Sequence, residues 1–323
     1  MANILVTGGA GFIGSHFVRA LDQKQFGKIV VYDMMTYSSD LNRLKGFDGL
    51  IVTGDIGDFE KVVSTLRDGE ITHIVNFAAE SHVDRSIEDV NPFLKTNVFG
   101  TVNLMEAASA YWLETDGGYK GKLFVHISTD EVYGELSEKV RPLDEKAPLR
   151  PSNPYAASKA AADQFVIAKI SGEGFPGMIV RSSNNYGLMQ NDEKLIPKIV
   201  HCLKEGKDIP LYGNGQQRRC WLFVEDYCRI LNALIQLEPI GEIFNVKGAS
   251  SMSNHEVVSK MRAAYATFVN LPVEAVSDIA FVQDRKMHDF YYNIDQSKLM
   301  RTAISPAHKK LEDFIDEKHF FIK

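Results

Sequence analysis

Thr7-Gly8-Gly9-Ala10-Gly11-Phe12-Ile13-Gly14 decides the fold: it follows the β-branched run Ile4-Leu5-Val6 and opens a helix-like stretch. Its glycines therefore stand where a strand turns into a helix. Gly8, Gly11 and Gly14, having no Cβ, allow a tight turn and let the backbone of Phe12 and Ile13 approach a pyrophosphate, whose charge the positive end of the helix favours. Asp33 closes the second strand-like run, Ile29-Val30-Val31-Tyr32. A carboxylate there accepts hydrogen bonds from an adenosine ribose and repels a 2′-phosphate, so NAD is expected in preference to NADP. The plainer alternative, a glycine turn beside a surface acid, is disfavoured by the strand and helix on either side. Asp55-Ile56, after the third run, is a candidate for holding the adenine.

Outward from this turn, Leu50-Ile51-Val52, His73-Ile74-Val75-Asn76-Phe77, Leu123-Phe124-Val125-His126-Ile127 and Met178-Ile179-Val180 read as further buried strands, with amphipathic stretches between them. That alternation predicts an α/β, Rossmann-type, doubly wound parallel sheet with ligands beyond the carboxyl ends of its strands. Past Arg181 the pattern turns irregular, with Gly-Asn-Gly at 213–215, a strand-like Glu242-Ile243-Phe244-Asn245-Val246, and helical stretches near 254–268 and 307–318. A smaller, discontinuous substrate lobe is expected over about 182–221 plus 248–323, with 1–181 plus about 222–247 forming the NAD-binding domain.

The 323 residues are 45% hydrophobic with a formal charge of −6. No basic block steers such a molecule to a polyanion, which argues against nucleic acid as a partner. Cys202, Cys220 and Cys228 are odd in number and lack a CxxC spacing, as expected of free thiols in a reducing compartment, and no metal site is expected. With no signal-like leader ahead of Ile4 and no membrane-spanning apolar run, a soluble cytoplasmic protein is expected.

Two later stretches carry candidate chemistry. Tyr155-Ala156-Ala157-Ser158-Lys159 places a phenol and an ammonium four apart on one helical face, where the cation is expected to favour the ionised phenol and make Tyr155 a base. The spacing is common by chance, and its weight comes from following a dinucleotide fingerprint. Ser128-Thr129-Asp130-Glu131-Val132-Tyr133-Gly134 ends a strand, where this architecture puts its active site. Side chains of successive strand residues point to opposite faces, so Asp130 and Glu131 can serve one substrate only if the backbone leaves strand geometry here. It is predicted to do so.

The chain resembles the extended short-chain dehydrogenases/reductases, and within them the dTDP-glucose 4,6-dehydratases, over essentially its whole length. The resemblance rests on TGGAGFIGSHFVR (7–19), NFAAESHVDRSI (76–87), STDEVYG (128–134), NPYAASKAAADQF (153–165), RSSNNYG (181–187), EKLIPK (193–198), YGNGQQRRCWLFVEDY (212–227) and DRKMHDFYYNID (284–295). The Asp-Glu pair discriminates within the group, because simple epimerases usually lack it and related decarboxylases often carry Ser-Glu. The resemblance implies that Tyr155, supported by Lys159 and Thr129, removes the C4 hydroxyl proton of a sugar while NAD takes hydride from C4. Glu131 then takes the C5 proton and Asp130 protonates the departing C6 hydroxyl. Hydride returns to C6, leaving a 4-keto-6-deoxy sugar. It also implies Ala78 and Ala79 against the cofactor, and Asn185, Lys194, Leu195, Arg219, Arg285 and His288 around a dTDP- or UDP-hexose. A homodimer through the helices around Pro92–Tyr111 and Tyr155–Ile170 is implied as well. His82, Asp84 and Arg85 either shape the sugar pocket or are structural.

Departures from the family pattern gather in the substrate lobe. Cys220 stands where an Asp is usual, Leu188-Met189-Gln190-Asn191 replaces a more aromatic stretch, and no Gly-Trp occurs between Arg301 and Pro306. They leave open the base, glucose against an N-acetylhexosamine, and 4,6- against 5,6-elimination. An epimerase, a decarboxylase or a non-catalytic NAD-sensing protein remains as an alternative.

Overall fold

The computed structural model describes residues 1–21, 26–115, 117–137 and 140–322. Twelve strands occur among them: β1 Ala2–Thr7, β2 Phe26–Asp33, β3 Leu50–Thr53, β4 His73–Asn76, β5 Leu123–Thr129, β6 Gly177–Ser182, β7 Asn184–Tyr186, β8 Ile209–Tyr212, β9 Arg218–Phe223, β10 Ile243–Val246, β11 Ser250–Ser253 and β12 Ile279–Val282. Seven form one parallel sheet in the order β10-β6-β5-β4-β1-β2-β3. The order reverses between β1 and β4, which opens a crevice at their carboxyl ends.

Both faces of the sheet are covered, as the continuous apolar runs require. In β1, Ile4 and Val6 join one core with Phe17, Tyr227 and Leu231, while Leu5 joins the other with Leu66, Leu104 and Trp112. This is the alternation of a strand buried on both sides. One expectation fails. Leu50 is 55% and Ile51 38% exposed, because β3 is the edge strand, with a partner on one side only.

A third core, from Tyr186 and Ile196 to Phe320 and Phe321, lies under the small sheets β11-β9-β7 and β12-β8. Its longest helix, Asn254–Val269, begins at a capping box in which Ser253 Oγ accepts from the Glu256 N–H and Glu256 Oε2 accepts from the Ser253 N–H. The helix expected near 307–318 is shorter, Leu311–Asp316. Arg229 and Asp226 hold the stretch before it in extended form by bonding the backbone of Ser305, Pro306, His308 and Lys309. All three cysteines are buried and free. Among the described residues no helix is long and apolar enough to cross a membrane.

Candidate active site

At the end of β1 the chain turns at Gly8, whose φ of +65° suits glycine. A Cβ on Gly8 would stand 2.7 Å from the Ala78 nitrogen, and one on Gly14 would stand 2.3 Å from the Gly8 oxygen. The turn therefore tolerates no side chain at either position. The helix Phe12–Ala20 that follows has Gly11 at its N-cap and no side-chain cap, leaving its first N–H groups to an anion. Asp33 braces the same turn, its Oδ2 accepting from the Ala10 N–H at 2.9 Å and its Oδ1 from Ser39 Oγ at 2.7 Å.

Gly8, Gly11, Asp33, Asp55, Ile56, Ala78 and Ala79 line one end of a groove. The groove continues along Phe12, Ile13 and Gly14 to Thr129, Glu131, Tyr155, Lys159, Asn185 and Lys194. A side-chain-free turn, an uncapped helix N-terminus and an acid at the end of β2 fit a dinucleotide along this line. Among the described residues no cluster of three or more His, Cys, Asp or Glu could hold a metal ion.

A second cleft adjoins the groove and shares Glu131, Asn185, Gln190, Glu193 and Lys194 with it. Leu195, Arg219, Arg285 and His288 line it, together with His82 and Asp84. Arg285 pairs with Asp84 at 3.4 Å, lies over the Tyr212 ring and keeps a buried Nε with no partner. Arg219 is fixed by the carbonyls of Arg218, Asp289 and Phe290 at 2.8–3.2 Å and lies over the ring of Tyr292. His288 Nδ1 is 2.6 Å from Asp284 Oδ1, and burial lowers its pKa. His82 serves as the N-cap of the helix Val83–Glu88, accepting from the Arg85 N–H. The buried Oδ1 atoms of Asn184 and Asn185 and Oε1 of Gln190 have no protein partner. They are acceptors for a ligand's hydroxyls or amide.

Where the two cavities meet, the backbone leaves strand geometry. β5 stops at Thr129, and Asp130–Tyr133 form a 3₁₀ turn capped by Thr129 Oγ1. Gly134, with a φ of +77°, ends the turn. Both acids consequently lie in this turn, but only Glu131 lines the cavities. Glu131 lines both cavities and accepts from Asn153 Nδ2 at 3.5 Å. Asp130 is buried behind it, with Oδ2 unpartnered. Burial, then the charge of Glu131, pushes Asp130 up to about 8, so it holds a proton at neutral pH. Burial also raises Glu131, against the pull of Arg219 and Asn153.

Tyr155 and Lys159 stand on the helix Pro154–Glu173, started by Asn153 as N-cap with Pro154 at its first position. Here the expected phenol–ammonium pairing needs correction. Lys159 Nζ donates to the Ile127 carbonyl at 2.7 Å and lies 3.4 Å from His126 Nε2, with Asp163 as its countercharge. Burial pushes it down to about 8. Tyr155 is raised, first by burial and then by the charge of Glu131, and a bond from Thr129 only partly opposes this. The chain alone therefore does not ionise the phenol at neutral pH. Asn97 was not singled out from sequence. It lies in a π-helical turn, Leu94–Gly100, and ties Glu80 to Ser158 through three hydrogen bonds, so the turn itself is the signal of a constrained site. Asn153, Gln190, Glu193 and Tyr292 were likewise missed, although Asn153-Pro154 carries a readable helix-start pattern.

Residues 5–305 match the model of the GDP-mannose 4,6 dehydratase family. A dTDP-glucose 4,6-dehydratase of Xanthomonas campestris pv. campestris is 42% identical over 308 residues, covering 93% of this chain and 87% of the relative. The crystal structure of a dTDP-glucose 4,6-dehydratase from Bacillus anthracis in complex with NAD superposes with a TM-score of 0.84 at 36% identity, over 98% of this chain and 95% of the other. A UDP-glucose 4-epimerase from Thermus thermophilus, solved with NAD, gives the same TM-score of 0.84 at 26% identity, over 98% of each chain. The epimerase shares the fold as fully as the dehydratase does, so fold similarity alone does not separate the two reactions. The chain belongs to the GDP-mannose 4,6 dehydratase family, within the extended short-chain dehydrogenases/reductases.

Proposed function

We propose that this protein is an NAD-dependent nucleotide-sugar 4,6-dehydratase acting on a dTDP- or UDP-hexose. The observation that carries this reading is the buried pair Asp130 and Glu131 at one strand end beside Tyr155, where burial raises both carboxyls and the charge of Glu131 raises Asp130 further. A bound NAD, which Gly8, Gly11, Asp33, Ala78, Ala79 and Lys159 would hold, would supply the redox chemistry as acceptor of the C4 hydride and its donor to C6, together with a positive charge that favours the ionised phenol.

Tyr155 accepts the C4 hydroxyl proton, and Thr129 hydrogen-bonds the oxygen that becomes the C4 carbonyl. The ketone acidifies C5, so Glu131, facing both cavities, takes that proton. Asp130 keeps a proton at neutral pH and gives it to the C6 oxygen, which leaves as water. Reprotonation of C5 completes a 4-keto-6-deoxy product with no net redox change. Arg285, Lys194 and Asn185 hold the diphosphate side of the substrate, and Arg219, clamped by three carbonyls, supplies charge to Glu131.

The domain division expected from sequence is supported by the separate core that begins at Tyr186. A homodimer is supported by Leu94, Phe99 and Phe165, which leave 39%, 70% and 50% of their surface exposed on the two helices named for it. A cytoplasmic location is supported by three buried free thiols. Mass spectrometry of the protein incubated with dTDP-glucose, UDP-glucose and UDP-N-acetylglucosamine tests the reading. Loss of one water from a substrate supports it; unchanged mass in all three, with an epimer found by nuclear magnetic resonance, replaces it with an epimerase.

A further inference from the structure

The middle of the cofactor groove is roofed by three segments distant in sequence. Tyr37 bonds Glu80 Oε2 at 3.2 Å, and the Arg85 guanidinium lies 3.9 Å above its ring. On the opposite side the buried guanidinium of Arg43 donates to the Ser38 carbonyl at 2.8 Å, to the Ala10 carbonyl at 3.4 Å and to Asn191 Oδ1 at 3.1 Å. Asn191 Nδ2 closes the ring by donating to the same Ser38 carbonyl at 3.2 Å. Ser38 and Asn191 line the groove itself, whereas Arg43 stands on its outer side.

The segment carrying Asn191 is held to the rest of the groove by side chains: His16 Nε2 meets the Leu188 carbonyl at 3.0 Å and Lys194 Nζ donates to the Ser81 carbonyl at 3.2 Å. Among the described residues no sheet pairing joins these three segments, so side-chain bonds are what tie them to one another. The Asn191 segment also carries Gln190, Glu193 and Lys194, which face the cofactor and the sugar nucleotide alike.

We propose that Arg43 and Asn191 are positioning residues that latch this segment over the diphosphate part of the groove and keep NAD in place between its reduction and its reoxidation. The latch rests on the reading that one NAD is recycled within each turnover, since losing it midway strands a 4-keto intermediate. Arg43 acts through Asn191, Ser38 and the Ala10 peptide, which Asp33 grips from the other side.

The experiment follows labelled NAD released from wild type, Asn191→Ala and Arg43→Met into excess unlabelled NAD, with kcat measured at saturating NAD. Loss of one charge-assisted hydrogen bond predicts about tenfold faster release from Asn191→Ala, with the melting temperature in excess NAD unchanged and a larger share of turnovers ending in the stranded intermediate. Arg43→Met is expected to release faster still. Release from Asn191→Ala at the wild-type rate overturns the latch, and so does faster release accompanied by a lowered melting temperature in excess NAD. Wild type that exchanges its cofactor at every turnover instead overturns the recycling reading beneath it.

Discussion

The cofactor groove and the sugar-nucleotide cleft share a wall at Glu131 and Lys194, yet they are built in opposite ways. The diphosphate end of the groove is made of backbone and short side chains at the ends of β1, β2 and β4, and it admits no Cβ at Gly8 or Gly14 while Asp33 grips the turn. The cleft is made of long side chains fixed by distant main-chain carbonyls, Arg219 by Phe290 and Lys194 by Ser81, the latter 113 positions away. A site built from backbone tolerates almost no substitution, while one built from braced side chains can be retuned one residue at a time.

The largest effect expected from this contrast is that of Gly14→Val, which puts a side chain into the Gly8 carbonyl and should abolish NAD binding and all turnover. Calorimetry with NAD checks it, and near-normal affinity would break the contrast. At the shared wall, Glu131→Gln should slow product formation by about 10³-fold while C4 oxidation persists, seen as NADH absorbance without solvent deuterium entering C5. Normal exchange at C5 would remove Glu131 from its role. Within the cleft, Arg285→Met should raise KM for the sugar nucleotide by about tenfold and leave kcat nearly unchanged. An equal fall in kcat would place Arg285 in the chemical step.

The smallest effect concerns pH and stability. Asp130 has its folded pKa raised from 3.8 to about 8, so the folded chain binds that proton more tightly than the unfolded one. Its contribution is therefore fully present below the ordinary value and is lost as pH rises toward about 8. Asp130→Asn should melt higher than wild type at pH 8, with the difference shrinking toward pH 4. An equal gap at both pH values would mean that Asp130 is not held protonated by burial.

How far each region could be read from sequence follows the same contrast. The glycine turn, Asp33 and the departure from strand geometry at Asp130 were legible, because each carries a residue type set at the end of a readable strand, although Gly8 abuts Ala78 and Asp33 reaches Ala10 across the sheet. The exposed side of Leu50 and Ile51 was not, since an apolar run does not reveal which strand will be the edge. Nor was the orientation of Lys159. Helical spacing put it beneath Tyr155, but the Ile127 carbonyl and His126 on β5 take its ammonium. The brace of Arg219 was hidden because its partners Asp289 and Phe290 lie in a loop with no periodic pattern.

The central claim, dehydration driven by a redox cycle closed within one site, is tested most directly with dTDP-glucose deuterated at C4. The account predicts a product lighter by one water, with a ketone at C4, the label moved to C6 and a solvent hydrogen at C5. Label remaining at C4, or lost to the medium, would contradict it.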